Sequence, residues 1–238
     1  MSDKPIAFEA YEELADAYAE IVETKPHNAY YDKPAVISLL PELNGLKVLD
    51  AGCGTGAYSK TFIEMGAKVT GIEVSPNMIE HAKRKLGNQA TLYLADLNEP
   101  LEFLKDSTFD IIVSPLVIHY IKDLKKLFNE FNRILKKDGV FVFSTSHPYF
   151  DYQYYKSKNY FSKEKVGCHW GGFKKKVYVP CYRYPLQYLI NSLINANFTL
   201  DYLLEPLPTE EFKDADVKHY NELKEFPGFM CIRAIKKH

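Results

Sequence analysis

The chain offers little from which a staple, a membrane anchor or a charged docking arm could be made. It has four cysteines, Cys53, Cys168, Cys181 and Cys231, none in a CxxC pair, which points away from a disulfide framework and toward free thiols in a reducing compartment. Cys168, His169 and Cys181 lack a fourth ligand at suitable spacing, so no metal is expected. Thirty basic residues face thirty-one acidic ones, a net charge of -1, and that balance leaves no electrostatic footprint for nucleic acid or an anionic membrane. The longest apolar stretch, IIVSPLVIHYI, is too short and too interrupted to cross a bilayer. The opening MSDKPIAFEAYEELADAYAE has neither the basic nor the apolar region of an export signal. A cytoplasmic protein is expected, with no membrane partner. No internal repeat and no low-complexity linker divides the 238 residues, 46% hydrophobic and 26% charged, so a single domain with a sizeable core is expected.

Between residues 46 and 146 short apolar runs alternate with helical patterns, the signature of a parallel sheet flanked by helices. The runs Lys47–Asp50, Lys68–Glu73, Thr91–Ala95, Asp110–Ser114 and Val140–Ser144 read as strands. Ser75 can cap a helix that opens at Pro76 and closes before Gly87. A second helix is expected from Asp123 to Lys136, with Leu124, Leu127, Phe128, Phe131, Ile134 and Leu135 on one stripe and Asp138-Gly139 turning into the next strand. Phe8–Val22 and Pro34–Leu40 read as helices separated by Pro26. Tyr149–Tyr188 carries 13 of the chain's 34 aromatic residues with little helical periodicity. A helix Pro185–Ala196 and strands Phe198–Glu205 and Phe229–Ile235 close the chain. The organisation expected is an N-terminal helical cover (1–45), a cofactor-binding half (46–146), an inserted lid (147–184) and a C-terminal helix with two strands (185–238).

VLDAGCGTG, residues 48–56, places Gly52, Gly54 and Gly56 between a strand and a helix, where glycine allows positive φ and close approach of a ligand to backbone. Ala57 completes a GxGxxA variant of the dinucleotide fingerprint, so a nicotinamide-dependent oxidoreductase stands as an alternative. Glu73 at the end of the second strand suits ribose hydroxyls in either case. The succession VLDAGCGTG, VTGIEVS, LADLNEP and FDIIVSPLVIHYI resembles the class I S-adenosylmethionine-dependent methyltransferases of small-molecule type. That resemblance implies an α/β fold: a doubly wound, Rossmann-like, seven-stranded and mostly parallel sheet in the order 3-2-1-4-5-7-6, its last strand antiparallel. It implies S-adenosyl-L-methionine as cofactor, S-adenosyl-L-homocysteine as product and a small-molecule methyl acceptor, in a monomer or homodimer. SPLVIHY matches none of the proline-aromatic signatures of enzymes that methylate nucleic-acid amines, so no nucleic-acid partner is expected. A methyltransferase acting on tRNA or protein and a non-catalytic cofactor-binding protein are the remaining alternatives.

By the resemblance, Ala51, Gly52 and Gly54 lie against the methionine part, and Asp50 orients the loop or reaches the amino group. Glu73 accepts both ribose hydroxyls, Asp96 and the Leu97 amide meet the adenine, and Val74 and Met78 flank it. Ser114 and Leu116 face the reactive end. A base helps where the acceptor carries a proton. His119 and His147 are the candidates, against a core histidine and a turn residue before Pro148. Tyr18 and Tyr31, with Asn28 beside them, belong to the cover and either face the sulfonium or pack the core. Trp170, Tyr178, Tyr182 and Tyr184 either line an apolar acceptor pocket or pack the lid. Seven lysines against Asp151 and Glu164 between residues 151 and 176 read as a solvated loop or as an attractor of an acidic substrate. Cys53 reads as a small packing residue.

Overall fold

A computed structural model describes residues 4–237. In chain order the elements are α1 (Phe8–Ile21), α2 (Lys33–Ser38), β1 (Lys47–Ala51), α3 (Ala57–Glu64), β2 (Lys68–Glu73), α4 (Pro76–Leu86), β3 (Ala90–Leu94), β4 (Phe109–Pro115), α5 (Leu124–Ile134) and β5 (Leu135–Ser146). There follow α6 (Pro148–Tyr154), β6 (Glu164–Trp170), β7 (Val177–Arg183), α7 (Leu186–Asn195), β8 (Phe198–Leu204), α8 (Glu210–Ala215), α9 (Val217–Glu225) and β9 (Phe229–Lys236).

Seven strands form one sheet in the order β3-β2-β1-β4-β5-β9-β8. Once the hairpin β6–β7 is set aside, this is the expected 3-2-1-4-5-7-6. β9 runs antiparallel to both neighbours, pairing Ser144 with Cys231 and Leu203 with Ile232. The register sets Asp50 opposite Gly71 on one side and Val113 on the other, and Glu73 beside Leu94, so the carboxyl ends of β1, β2 and β4 come out side by side.

The inner strands β1, β2, β4, β5 and β9 alternate between two apolar layers, as strands covered on both faces must, while most residues of the edge strands β3 and β8 are half-buried or exposed. Phe141 and Phe143 pack with α5 and α7 through Phe128, Phe131 and Leu193. Val142, Ile111 and Val113 point the other way, to Val36, Leu39 and Phe62 under α2 and α3. Truncating a buried phenylalanine such as Phe128 to alanine costs about 3–5 kcal/mol.

Three local differences from expectation have physical causes. Asp123 is the cap of α5 rather than its first residue, its side chain accepting from Lys126 N at 3.2 Å. That helix stops at Ile134 because Leu135 is already extended and pairs with Phe109. Residues 136–139 bulge out before Val140 rejoins Ile111, with Lys136 closing on Asp110 at 2.6 Å. Third, the lysine-rich segment is no plain solvated loop: α6 and the antiparallel hairpin β6–β7 order it. Val177, Val179 and Cys181 turn inward, while Lys163 and Lys165 lie over the ring of Tyr182. Their ammonium groups sit over the ring, cation–π contacts that tie the segment to the core.

Candidate active site

The loop after β1 is tied to β2 by two adjacent amides, Gly52 N and Cys53 N, which both donate to the Ile72 carbonyl at 2.8 and 2.9 Å. Gly52 has φ +86, and a Cβ there would lie 2.4 Å from Val117 Cγ2. Gly54, at φ +53, has open space where its Cβ would be, and its N–H donates to Glu73 Oε2 at 2.9 Å. Glu73 Oε1 accepts from Val74 N and Ser75 N at 2.8 and 2.9 Å. Three of its roughly four acceptor sites are therefore filled by backbone. The carboxylate as it stands can take one further donor, on Oε2, rather than the pair of hydroxyls expected. Asp96 Oδ1 accepts from both nitrogens of Asn98, at 2.8 and 2.9 Å, leaving Oδ2 for a ligand.

Helix α1 and the turn after it are fastened against α4 and its cap by acidic residues. Glu12 accepts from Ser75 Oγ and, at 3.1 Å, from Asn77 N; Asp16 meets His81 and Glu23 meets Lys85 further along α4. The fastening brings Tyr11 and Tyr18 to the cradle's edge. Tyr11 shares a 3.0 Å hydrogen bond with Tyr120. Tyr18 stacks on Phe173 of the β6–β7 turn at 5.2 Å, and Phe173 stacks on Trp170 at 5.7 Å. Lys25 Nζ sits 3.8 Å from the Phe173 ring centre, a cation–π contact.

Cradle and aromatic wall enclose one cavity of about 830 Å3, lined from α1, the glycine loop, β2, β4, α6, the hairpin and α9. Burial governs its electrostatics. It pushes His119 down to about 4, so the ring is neutral near pH 7, with Nδ1 3.2 Å from Thr145 Oγ1. It raises Tyr11, Tyr18 and Tyr120, which keep their protons, and it raises Glu73 against the three backbone amides that favour its anion.

Of the residues singled out from the sequence, Gly52, Gly54, Glu73, Val74, Met78, Asp96, Leu97, Leu116, Tyr18, Asn28, His119 and Trp170 line this cavity. Others stand behind it. Asp50 accepts from Ser59 Oγ at 2.6 Å, and its second oxygen is buried without a partner. Ser114 Oγ donates to the Ala51 carbonyl at 2.9 Å, which joins β4 to β1. Tyr31 accepts from Gly228 N at 3.1 Å, holding up the β9 end of the wall rather than facing the cavity. His147 caps α6, its Nδ1 accepting from Tyr149 N at 3.2 Å, while Nε2 meets Glu205 at 2.9 Å. Both ring nitrogens are thus occupied with structure. Tyr182 and Tyr184 are buried in the main core, and Tyr178 is exposed. Among the described residues no cluster of three potential metal ligands occurs, and no helix is long and apolar enough to cross a membrane.

The sequence reading passed over Tyr11, Tyr120, Lys25 and Asp151, all of which line the cavity. For Tyr11 a signal existed, since it stands seven residues before Tyr18 on one face of α1.

Residues 49–143 match the family described as methyltransferase domain. The sheet order and the cradle agree with that match, which spans the cofactor-binding half of the chain. An uncharacterized protein of Haemophilus influenzae is 29% identical across 98% of this chain and 96% of its own length. The malonyl-[acyl-carrier protein] O-methyltransferase of Hamiltonella defensa is 36% identical over 135 residues, 56% of this chain. The chain spans about half the length of that relative, 51%. Among solved structures, an S-adenosylmethionine-dependent methyltransferase of Mesorhizobium loti superposes with a TM-score of 0.70 at 24% identity, covering 90% of this chain and 100% of that one. Geranyl diphosphate C-methyltransferase of Streptomyces coelicolor, solved with S-adenosyl-L-homocysteine, gives 0.62 at 14%, covering 85% and 77%. At these identities the structural likeness speaks for the fold.

The residues present fit the cofactor. The open space over Gly54 and the free acceptor positions on Glu73 and Asp96 suit a nucleoside that brings hydroxyl and amino donors.

Proposed function

We propose that the chain methylates a small molecule, on oxygen, nitrogen or carbon, held in the aromatic chamber that adjoins the cofactor cradle. One observation carries this reading: cradle and chamber are a single cavity, roofed by α6 and the β6–β7 hairpin, of a size typical of small-ligand sites, roughly 300–1,000 Å3. A cavity of that size favours a small acceptor over a duplex or a folded protein surface, and the near-neutral chain supplies no basic track for nucleic acid.

S-adenosylmethionine supplies a methyl group already activated by its sulfonium. What remains for the protein is alignment and exclusion of water. Glu73, Asp96 and the Leu97 amide hold the nucleoside. The rings of Tyr11, Tyr18 and Trp170 offer faces on which a positive charge is stabilised. His119, neutral and anchored through Nδ1 to Thr145, keeps Nε2 without a partner among the described residues and turned to the cavity. It can accept a proton from an acceptor held there.

Calorimetric titration with S-adenosylmethionine, S-adenosylhomocysteine and NADH, each separately, tests the reading. Micromolar binding of the first two and none of NADH is expected. Binding of NADH alone would return the protein to the oxidoreductases.

A further inference from the structure

The acceptor side of the cavity contains a polar side chain that nothing in the protein uses. Asp151, in the first turn of α6, is 5% exposed and lines the cavity beside Phe150, Tyr154 and Tyr155. Neither of its carboxylate oxygens meets a hydrogen-bond donor among the described residues. Nor are those oxygens sealed in protein, as the second oxygens of Asp32 and Asp50 are. They open onto the cavity.

The nearest buried cation, Arg183, does not pair with it. Arg183 is fully buried and directs its donors elsewhere: Nε to Glu164 Oε2 at 3.2 Å, and its terminal nitrogens to the carbonyls of Asn159, Tyr160 and Ser162. It acts on Asp151 only through its charge. Burial pushes the Asp151 carboxyl up to about 7 against that pull. The other titratable groups facing it, Tyr155 and Cys181, are themselves raised by burial. Nor does Asp151 cap α6, since His147 does so. A buried carboxyl without a partner is costly to keep, and such groups collect where a ligand completes them.

The surroundings narrow the ligand. Phe150, Tyr154, Tyr155 and Trp170 make flat apolar walls. The fixed charge of Arg183 behind the carboxylate offsets the attraction an ammonium group would feel, which leaves a neutral donor as the better match.

Resting on the methyltransferase reading above, we propose that Asp151 is the residue that binds the methyl acceptor, accepting a hydrogen bond from a neutral hydroxyl on a flat, largely apolar molecule lodged between α6 and the hairpin. The hydroxyl is thereby held in the cavity that His119 also lines.

The test uses the full chain saturated with S-adenosylhomocysteine and a panel of hydroxyarenes, each paired with its methyl ether and with the matching aminomethylarene. Dissociation constants are measured by ligand-observed NMR for wild type, Asp151→Leu and Asp151→Asn. In wild type at pH 8, where the carboxyl is mostly ionised, the best hydroxyarene should bind about tenfold more tightly than its ether, the worth of one hydrogen bond to a charged acceptor. Asp151→Leu should erase that difference, while Asp151→Asn, whose amide oxygen still accepts, should keep part of it. Affinity for S-adenosylhomocysteine should hold within about twofold, and the melting temperature at pH 8 should hold or rise, because a buried charge is removed. Equal affinity within every pair, no binding by any pair, tightest binding by the aminomethyl compounds, or a lowered melting temperature in both variants overturns the proposal. If wild type fails to bind S-adenosylhomocysteine, it is the methyltransferase reading that falls.

Discussion

At the ends of β1 to β3 the polar groups facing the cavity are held by nearby backbone, whereas under the hairpin they stand among aromatic rings with few partners. Glu73 is fixed by three amides and Asp96 by Asn98; Asp151 is fixed by nothing, and His119 by a single contact to Thr145. A ligand on the first side meets groups that need no reorganisation, which suits a cofactor common to every turnover. A ligand on the second side must itself supply the missing partners, and a molecule that lacks them leaves buried groups unpaired. Rejection of such a molecule is how a site of this kind becomes selective. Cradle variants should therefore alter cofactor affinity whatever the acceptor, and chamber variants should alter acceptor affinity alone.

The contrast breaks most sharply at Gly52. A methyl group there meets Val117 Cγ2 at 2.4 Å on a backbone with φ +86, so Gly52→Ala should weaken S-adenosylhomocysteine binding by about 100-fold, nearly 3 kcal/mol. Gly45 is the control: its φ is +77, but nothing lies within 4 Å of its Cβ position. Gly45→Ala should cost only the roughly 1–2 kcal/mol of a left-handed non-glycine residue in a urea melt, with cofactor affinity intact. Next comes Glu73→Ala, which removes a ligand acceptor and orphans Gly54 N, Val74 N and Ser75 N together. At least about a tenfold loss of affinity is expected, and an unchanged titration would sink the ribose assignment.

The same division explains what could be read from the sequence. The cradle is written in contiguous stretches, VLDAGCGTG and VTGIEVS, where a strand end, glycines and an acid follow at fixed spacing. The alternating runs and helices by themselves point to a parallel sheet flanked by helices, and the strand order is what the resemblance of those stretches to the class I methyltransferases implies. The chamber is assembled from α1, α6, the hairpin and α9, and its character depends on pairings between distant segments. Asp151 is unpaired only because Arg183 is engaged by the carbonyls of residues 159–162, and nothing in local periodicity reports that. His119 and His147 look alike in sequence. A proline at the first helical position does single out His147 as a cap, and its ring nitrogens are indeed spent on Tyr149 and Glu205.

A smaller effect separates buried carboxyls of the frame from those of the ligand. Burial raises Asp50 to about 7 and Asp32 to about 6, from an ordinary value of 3.8. The folded chain then holds protons that the unfolded chain releases. The stability this lends is complete below about pH 4 and is lost as pH rises through 6 to 7. Unfolding free energies from urea melts should accordingly fall between pH 5 and pH 8, by an amount on the order of 1–3 kcal/mol for each such carboxyl. Asp50→Asn should flatten that slope, and an unaltered slope would show that Asp50 ionises without penalty.

The mildest expected change in cofactor binding is that of His119→Ala, and it sharpens the comparison because His119 lies where the two sides meet. Its Nδ1 already has Thr145, and burial holds it neutral at about 4, so it carries no charge for the cofactor to feel. S-adenosylhomocysteine affinity should stay within about twofold. Turnover on an acceptor with an ionisable proton should drop several-fold, and less so as pH is raised and the acceptor loses that proton unaided. A cofactor affinity that falls as far as in Glu73→Ala would move His119 from the acceptor side to the cradle. Full turnover at every pH would leave the alignment of acceptor and methyl, rather than proton removal, as what the chamber contributes.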